Sequence, residues 1–259
     1  MAEAELYSPH ASDCRWSLAA RFTGWRGHPY HAPDMPPGKP GFRILPAPPR
    51  LPSDLVERFR GLATANVADA MGRFHFMDPG IVPRTALPLC GLAITVTCRP
   101  GDNLMVHKAL QLAESGDIIV VNTCGNQTSA VFGGLMCHTA AARRLGGIVV
   151  DGALRDLDDL GRLAFPAFSR TVSPGACDKD GPGEINVPVS CGGTVVAAGD
   201  IVIGDRDGVI VVPAADAPQV IDEVAGLAAR ERDRIAEIGR GVLYRPEIDA
   251  ALRAKGVIA

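Results

Sequence analysis

One short run of residues constrains the fold of this chain more than any other segment. Ile148-Val149-Val150 is followed directly by Asp151-Gly152, and helical patterns stand on both sides of it. An unbroken β-branched run is typical of a strand buried on both faces, as in a parallel sheet covered by helices. The run therefore predicts an α/β domain built around this strand.

Strand-like and helical segments alternate around this run. Periodicity predicts strands at 91–99, 117–122 and 167–171, and helices at 53–72, 102–115, 127–146 and 156–162, with Ser53 as the first N-cap. A β-rich region follows over 185–191, 194–205 and 208–213, with a hairpin turn signal at Asp207-Gly208. Last comes an amphipathic helix over 214–239, whose apolar side predicts a core or subunit contact and carries Val220, Val224, Leu227, Ile235 and Ile238.

The first 52 residues differ from the rest of the chain. Nine prolines lie between Pro29 and Pro52. Because proline lacks an N–H and fixes φ, this stretch favours an extended arm over helix or inner strand. Four aromatic residues are candidates to anchor the arm to the domain or to a neighbouring subunit: Trp16, Phe22, Trp25 and Tyr30. We therefore divide the chain into an arm (1–52), a main domain (53–213) and a C-terminal helix with its tail (214–259).

Composition excludes several classes of protein. Hydrophobic residues make up 47% of the chain and charged residues 21%, so a sizeable core can form. The net charge is -3 and the basic residues are scattered, which argues against nucleic-acid binding. No apolar run is long enough to span a membrane, and the first ten residues carry acids where a signal peptide needs bases. We expect a cytoplasmic protein.

The usual short signatures of catalysis are missing. The sequence has no Walker loop, no G-x-G-x-x-G after a strand, no H-E-x-x-H and no G-x-S-x-G. The informative segment is instead residues 133–159, and its two ends suggest different chemistry.

The first end is Gly133-Gly134. Two glycines inside a helical pattern are unfavourable, so the helix is expected to begin at or just after them. A helix N-terminus preceded by glycines offers free N–H groups and a partial positive charge to a carboxylate or phosphate. The alternative is that the glycines only allow close helix packing.

The second end is Arg155-Asp156, where the chain leaves the buried strand. Ligands of α/β sheets bind outside the carboxyl ends of the strands. Arg155 can form two parallel hydrogen bonds to a carboxylate, and Asp156 can bind a hard divalent cation. The alternatives are that Asp156 only caps the next helix and that Arg155 only pairs with Asp158 or Asp159.

The chain resembles the RraA-like family, which includes class II 4-hydroxy-4-methyl-2-oxoglutarate/4-carboxy-4-hydroxy-2-oxoadipate aldolases and regulators of ribonuclease E activity. The resemblance rests on Gly133-Gly134, Arg155-Asp156 and Asp159 at their spacing. It extends to TANVADAM (64–71), DNLMVHKAL (102–110) and the β-rich run over 183–213. It covers about residues 53–240 and excludes the proline-rich arm.

This resemblance implies a fold, an assembly and a site. The fold is an α/β/β/α sandwich similar to the phosphohistidine swivelling domain, assembled as a homotrimer or homohexamer with the site at a subunit boundary. The backbone of Gly133, Gly134, Leu135 and Met136 would hold a pyruvate-type carboxylate, and Arg155 would bind the keto or enolate oxygen. Asp156 would hold Mg²⁺ or Mn²⁺, with Asp159 as a further contact through water.

The reaction implied is the cleavage or decarboxylation of small 2-oxo acids through a metal-stabilised pyruvate enolate. One position departs from the family pattern, because characterised aldolases carry an acidic residue where this chain has Gly134. The acid contacts the metal through water, so we expect its loss either to weaken the metal site or to change the reaction, with Asp158 or Asp159 as candidates to compensate. The alternative function is a non-catalytic regulatory protein of the ribonuclease E inhibitor type.

Overall fold

A computed structural model describes residues 38–258. The aromatic residues proposed to anchor the arm (Trp16, Phe22, Trp25 and Tyr30) lie outside these residues. The strands are β1 (Gly38–Lys39), β2 (Phe42–Ile44), β3 (Val82–Pro83), β4 (Leu89–Cys98), β5 (Ile118–Asn122), β6 (Ala130–Phe132), β7 (Gly147–Leu154), β8 (Ala167–Val172), β9 (Gly183–Ile185), β10 (Val189–Cys191), β11 (Thr194–Val196), β12 (Ile201–Asp205) and β13 (Gly208–Val212). The helices are α1 (Ser53–Phe59), α2 (Thr64–Ala70), α3 (Leu104–Leu112), α4 (Gly134–Ala142), α5 (Leu157–Arg162), α6 (Ala217–Gly239) and α7 (Pro246–Ala254).

The main sheet has a parallel centre formed by β4, β5, β7 and β8. The full order is β1-β2-β9-β4-β5-β7-β8-β3, with β6 paired to β7 and with the antiparallel pair β12-β13 joined to β4. Every residue of β7 except Asp151 is buried, as the β-branched run predicts. Helices α3, α4 and α5 cover one face of this sheet and bury a large apolar cluster against it.

The other face of the sheet packs on the β-rich region. Residues of β10, β12 and β13 form a second apolar cluster with the inner strands, and α1, α2 and α6 pack beyond them in a third. The order of layers is helix, sheet, sheet, helix, so the expected α/β/β/α architecture is confirmed. Among the described residues, no helix combines the length and apolar character that a membrane span requires.

Several boundaries differ from the sequence prediction. The single helix expected over 53–72 is wrong: it is two helices, because Gly61 takes a φ of +78° after α1 and breaks the helical path. Helix α1 starts one residue earlier than the predicted cap implies, with Pro52 rather than Ser53 at its N-cap. The helix expected over 127–146 contains β6 in its first part, since three apolar residues pair with β7 instead.

The C-terminal region also differs from expectation. Val220 and Val224 are buried in the third cluster, whereas Ile235 and Ile238 are exposed. The apolar side of α6 is therefore core only in its first half. Helix α7, which the pattern did not predict, begins with Pro246 and buries none of its side chains.

Candidate functional site

The structure brings the two ends of the 133–159 segment together. Strand β6 leads into Gly133 and β7 leads into Arg155, and these two strands are parallel neighbours. The N–H of Arg155 donates to the carbonyl of Phe132 at 3.1 Å, so the strand ends leave the sheet side by side. Helix α4 begins at Gly134, as the glycine pair predicts.

Asp156 connects the two ends directly. Its Oδ2 accepts a 2.8 Å hydrogen bond from the N–H of Gly134. Asp156 stands at the N-cap position of α5 with a left-handed backbone (φ 58°, ψ 45°), and its side chain caps no N–H of α5. The carboxylate is therefore turned across the site toward α4, and the simple capping alternative is wrong.

Gly133 leaves no room for a side chain. A Cβ at this position would lie 2.7 Å from Oδ2 of Asp156 and 3.0 Å from Nε of Arg155. Its φ of −153° is an ordinary extended value, so backbone strain does not explain the glycine. The close approach of the Arg155-Asp156 pair to the backbone does.

Arg155 keeps its guanidinium accessible. Its side chain is 40% exposed, and Nε lies 3.5 Å from Oδ2 of Asp156. The alternative pairing with Asp158 or Asp159 is wrong, because Asp159 instead pairs with Arg162 on its own helix. The guanidinium is thus available to an anion that approaches from solvent.

Only some of the backbone N–H groups over 133–136 are available to bind a carboxylate. The first N–H bonded within α4 is that of Cys137, to the carbonyl of Gly133 at 2.9 Å. Asp156 accepts the N–H of Gly134, which leaves the N–H groups of Leu135 and Met136 without a partner among the described residues. The side chain of Leu135 is 87% exposed beside them.

Asp159 lies in the first turn of α5, three residues after Asp156. Its carboxylate contacts the Cα side of Gly134, in the space that a Cβ there would need. The 159 side chain therefore reaches the N-terminus of α4 from α5. Asp156 and Asp159, with Leu157, Asp158 and Arg162, line an open depression on this surface.

Sequence analysis missed Asn103 as a member of this site. Asn103 is only 6% exposed, and its Nδ2 donates to the carbonyl of Val131 at 3.1 Å and contacts Sδ of Met136 at 3.8 Å. Its Oδ1 is buried and has no partner among the described residues. The only signal was the Asp102-Asn103 pair before a helical pattern, which is typical of a helix cap.

Two cysteines beside the site are poor nucleophiles. Burial, together with Asp159, raises the pKa of Cys137 to about 11. Burial and the carboxylate of Asp102 raise the pKa of Cys177, and the guanidinium of Arg155 opposes this rise. Neither thiol ionises readily at neutral pH, so the polar groups of the site are Arg155, the carboxylates and the amides.

Comparison with known proteins fits this geometry. The family model described as RraA-like, Aldolase/RraA, matches residues 64–211, which include every predicted site residue. This chain belongs to the RraA-like family. A Halalkalibacterium halodurans protein, provisionally named 4-hydroxy-4-methyl-2-oxoglutarate aldolase, is 36% identical over 73% of this chain and 91% of its own length.

Two solved structures of RraA-like fold resemble this chain. An uncharacterized protein from Pseudomonas syringae is 27% identical, with a TM-score of 0.69 over 74% of this chain and 92% of that one. The RNA-processing inhibitor RraA from Thermus thermophilus is 25% identical, with a TM-score of 0.55 over 58% of this chain and 92% of that one. The neighbours of this RraA-like chain thus include an inhibitor, and its relatives include named aldolases.

The residues of the RraA-like site suit a hard divalent cation held mainly by water and substrate. The described residues contain no cluster of three or more His, Cys, Asp or Glu side chains, so a metal enclosed by protein ligands does not fit. Asp156 is 46% exposed, and its Oδ1 accepts no hydrogen bond within residues 38–258. Mg²⁺ commonly binds through one or two carboxylates and keeps several waters, which matches this donor set.

Proposed function

We propose that this protein is a lyase that cleaves 4-hydroxy-2-oxo acids or decarboxylates oxaloacetate-type acids. The single observation that carries the proposal is the position of Arg155 and Asp156 against the N-terminus of α4, with Oδ2 of Asp156 2.8 Å from the N–H of Gly134. Recognition of a 2-oxo acid requires a guanidinium, a carboxylate that can hold a metal ion, and unpaired backbone N–H groups within one site. The relatives named as aldolases support the same reaction class.

Substrate binding is assigned to two groups in this site. The N–H groups of Leu135 and Met136 bind the carboxylate of the substrate, and the partial positive charge of the helix N-terminus strengthens that interaction. Gly133 lets the Arg155-Asp156 pair approach the backbone. Arg155 then binds the keto oxygen at C2 of the substrate.

The chemistry places negative charge at that same oxygen. In aldol cleavage, the 4-hydroxyl gives its proton to a water molecule, C4 becomes a carbonyl carbon as the C3–C4 bond breaks, and the electron pair of that bond passes to the C2 oxygen as an enolate. In decarboxylation, carbon dioxide leaves from C3 and the electron pair follows the same path. A proton from water at C3 then yields pyruvate, and the guanidinium of Arg155 stabilises the negative charge on the C2 oxygen as it develops.

Asp156 would hold Mg²⁺ or Mn²⁺, and Asp159 would act through water. When bound, the cation supplies Lewis-acid stabilisation of the developing negative charge. Asp159 contacts the N-terminus of α4 beside Gly134. Its carboxylate therefore lies close to the position where this chain lacks the acid of the characterised aldolases. Its pairing with Arg162 fixes the orientation of its carboxylate.

We also propose that the protein is a cytoplasmic homo-oligomer, a trimer or hexamer, with the site at a subunit boundary. The exposed Leu135 supports this, because a large apolar side chain beside a polar site is suited to a neighbouring subunit. Light scattering of the full chain tests it. A monomer at micromolar concentration would contradict the proposal.

The decisive experiment measures pyruvate release from oxaloacetate. Wild type is assayed with Mg²⁺ and with a chelator, and each arm is compared with the same solution without protein, since oxaloacetate also decarboxylates by itself. Arg155→Ala is expected to lower kcat by about 10²–10³-fold. Arg58→Ala, an exposed arginine paired with Asp222 on α6, is the control. Full activity in Arg155→Ala would overturn the assignment.

A second candidate is a non-catalytic regulatory binding protein of the ribonuclease E inhibitor type. The lack of an acidic side chain at Gly134 favours it, and so does the structural likeness to the RNA-processing inhibitor. Wild type without pyruvate release on either substrate class, with Mg²⁺ or Mn²⁺ present, would favour this candidate over the lyase.

A further inference from the structure

Residues 38–51 form a segment that lies outside the family-matched region yet packs on the main sheet beside β9. The match begins at residue 64. Strand β2 lies parallel to β9 and adds an outer strand to the main sheet, with Phe42 opposite Gly183 and Ile44 opposite Ile185. The N–H of Leu45 continues this pairing with a 3.0 Å bond to the carbonyl of Ile185.

Two side chains of the segment hold the residues around β9. The ring of Phe42 stands 3.0 Å from the point where a Cβ of Gly181 would be. Arg43 pairs with Glu184 at 2.7 Å, and Glu184 also accepts the N–H of Gly41 at 3.0 Å. The segment therefore contacts the end of the loop over residues 173–182, which we call the flanking loop.

The flanking loop is fastened on its other side by the start of α3. Asp102 is fully buried, and its Oδ2 accepts the N–H groups of Asp180 at 2.7 Å and Gly181 at 2.9 Å. The N–H of Asn103 donates to the carbonyl of Asp178 at 3.0 Å. Phe42 and Asp102 thus hold the same short piece of loop from two directions.

This piece of loop is connected to the candidate site. Asn103 contacts Met136 in the first turn of α4 through its side chain and Asp178 through its backbone. Cys177 lies close enough to Arg155 for the guanidinium to act on the pKa of its thiol. The loop begins at Ser173, whose N–H donates to the carbonyl of Leu154, directly before Arg155.

We propose that Phe42 and Arg43 are positioning residues that hold the flanking loop against the site and so set its affinity for substrate. They touch no reacting atom. Phe42 acts through Gly181 on Asp102 and Asn103, and Arg43 acts through Glu184 by holding β2 on β9. The proposal rests on the proposed function for its kinetic readout only. It assigns a role in the site to a part of the chain that the family match does not include.

The test compares Phe42→Ala and Arg43→Ala with Arg50→Ala in the full-length chain. Arg50 belongs to the same segment but pairs with Asp117 at 2.7 Å, away from the flanking loop, so it is a matched control. If the segment had only a structural role, all three variants would have a lower melting temperature, and none would show a change specific to the flanking loop. A positioning role changes the flanking loop and the substrate affinity in the first two alone.

Three readouts decide the outcome. Amide hydrogen exchange across 173–182 should rise in Phe42→Ala and Arg43→Ala. The dissociation constant for oxalate, measured with Mg²⁺ present, should rise about tenfold in both variants. KM for oxaloacetate should rise by the same factor, while kcat stays within about twofold of wild type. Unchanged exchange and oxalate affinity, or equal changes in Arg50→Ala, would overturn the proposal. If wild type has no turnover, the proposed function fails. Amide hydrogen exchange and the dissociation constant for oxalate then still decide whether Phe42 and Arg43 are positioning residues.

Discussion

The carboxylate of Asp159 occupies the space that a side chain at Gly134 would need. A Cβ on residue 134 would also lie 3.4 Å from the Cβ of Asp156. The glycine at 134 and the acid at 159 are therefore coupled through space, although they lie on different helices. The acidic side chain that this chain lacks on α4 is matched by one that approaches from α5.

We expect Gly134→Asp to be destabilising by about 1–3 kcal/mol, because the new side chain must displace Asp159. Asp159→Ala in the same chain should relieve the collision, so the two changes should couple by about 0.5–3 kcal/mol in a double-mutant cycle. The free energy of unfolding in urea measures this. Gly161→Ala on α5, where a Cβ meets nothing within 4 Å, is the control and should be neutral or stabilising. Additive effects of the two changes would contradict the coupling.

Asp156→Asn should separate metal binding from folding. An amide oxygen still accepts the N–H of Gly134, and asparagine tolerates the left-handed backbone at this position, so stability should change by about 1 kcal/mol or less. Loss of the charge should abolish Mn²⁺ binding measured by calorimetry. Asp158→Asn on the same turn serves as the control. Retained Mn²⁺ affinity in Asp156→Asn would exclude Asp156 as the ligand.

Asp102 should make stability depend on acid pH. Burial opposes its ionisation, but the N–H groups of Leu104, Asp180 and Gly181 outweigh burial and lower the pKa of Asp102. A carboxylate whose folded pKa is lowered stabilises the protein above its unfolded value of 3.8, and this contribution is lost as pH falls through the folded pKa.

Asp102→Asn should therefore lose about 1–3 kcal/mol at pH 7, because buried donors lose their acceptor. The difference from wild type should begin to shrink as pH falls below 3.8, where the carboxylate of the unfolded chain takes up a proton, and should be lost once pH passes the lowered folded pKa of Asp102. Chemical unfolding at pH 7 and pH 3 measures both values. The exposed Asp178→Asn is the control, and a difference that stays constant with pH would show that the charge of Asp102 is not responsible.

Removal of residues 240–259 should leave the stability of the domain nearly unchanged. Helix α7 buries no side chain, so the melting temperature should fall by about 2 °C or less. Ile221→Ala, at a buried position of α6, is the opposite control and should cost about 2–5 kcal/mol. A large fall in melting temperature on truncation would show that another subunit covers the exposed face of α7.

Local pattern was sufficient for the elements whose signal is strong. The β-branched run at Ile148 predicted β7 and the glycine pair predicted the start of α4. Asp207-Gly208 predicted a turn between β12 and β13, and that turn lies one residue earlier, at Arg206-Asp207. Short elements were missed for a physical reason: three residues are too few to show a period. Strand β6 exists because β7 offers its edge to residues 130–132, which is a tertiary fact.

The sequence by itself determined the α/β class and the residue types of the site, since periodicity and the spacing of Gly133-Gly134 and Arg155-Asp156 are local properties of the chain. Only the tertiary structure decided how those groups are used. It turned Asp156 toward the N–H of Gly134, brought Asp159 beside the same glycine and placed Phe42 on the flanking loop. Each of these contacts joins residues 22 or more positions apart, or on separate elements, and the energy of such contacts depends on the packing of the whole sheet rather than on neighbours in the sequence.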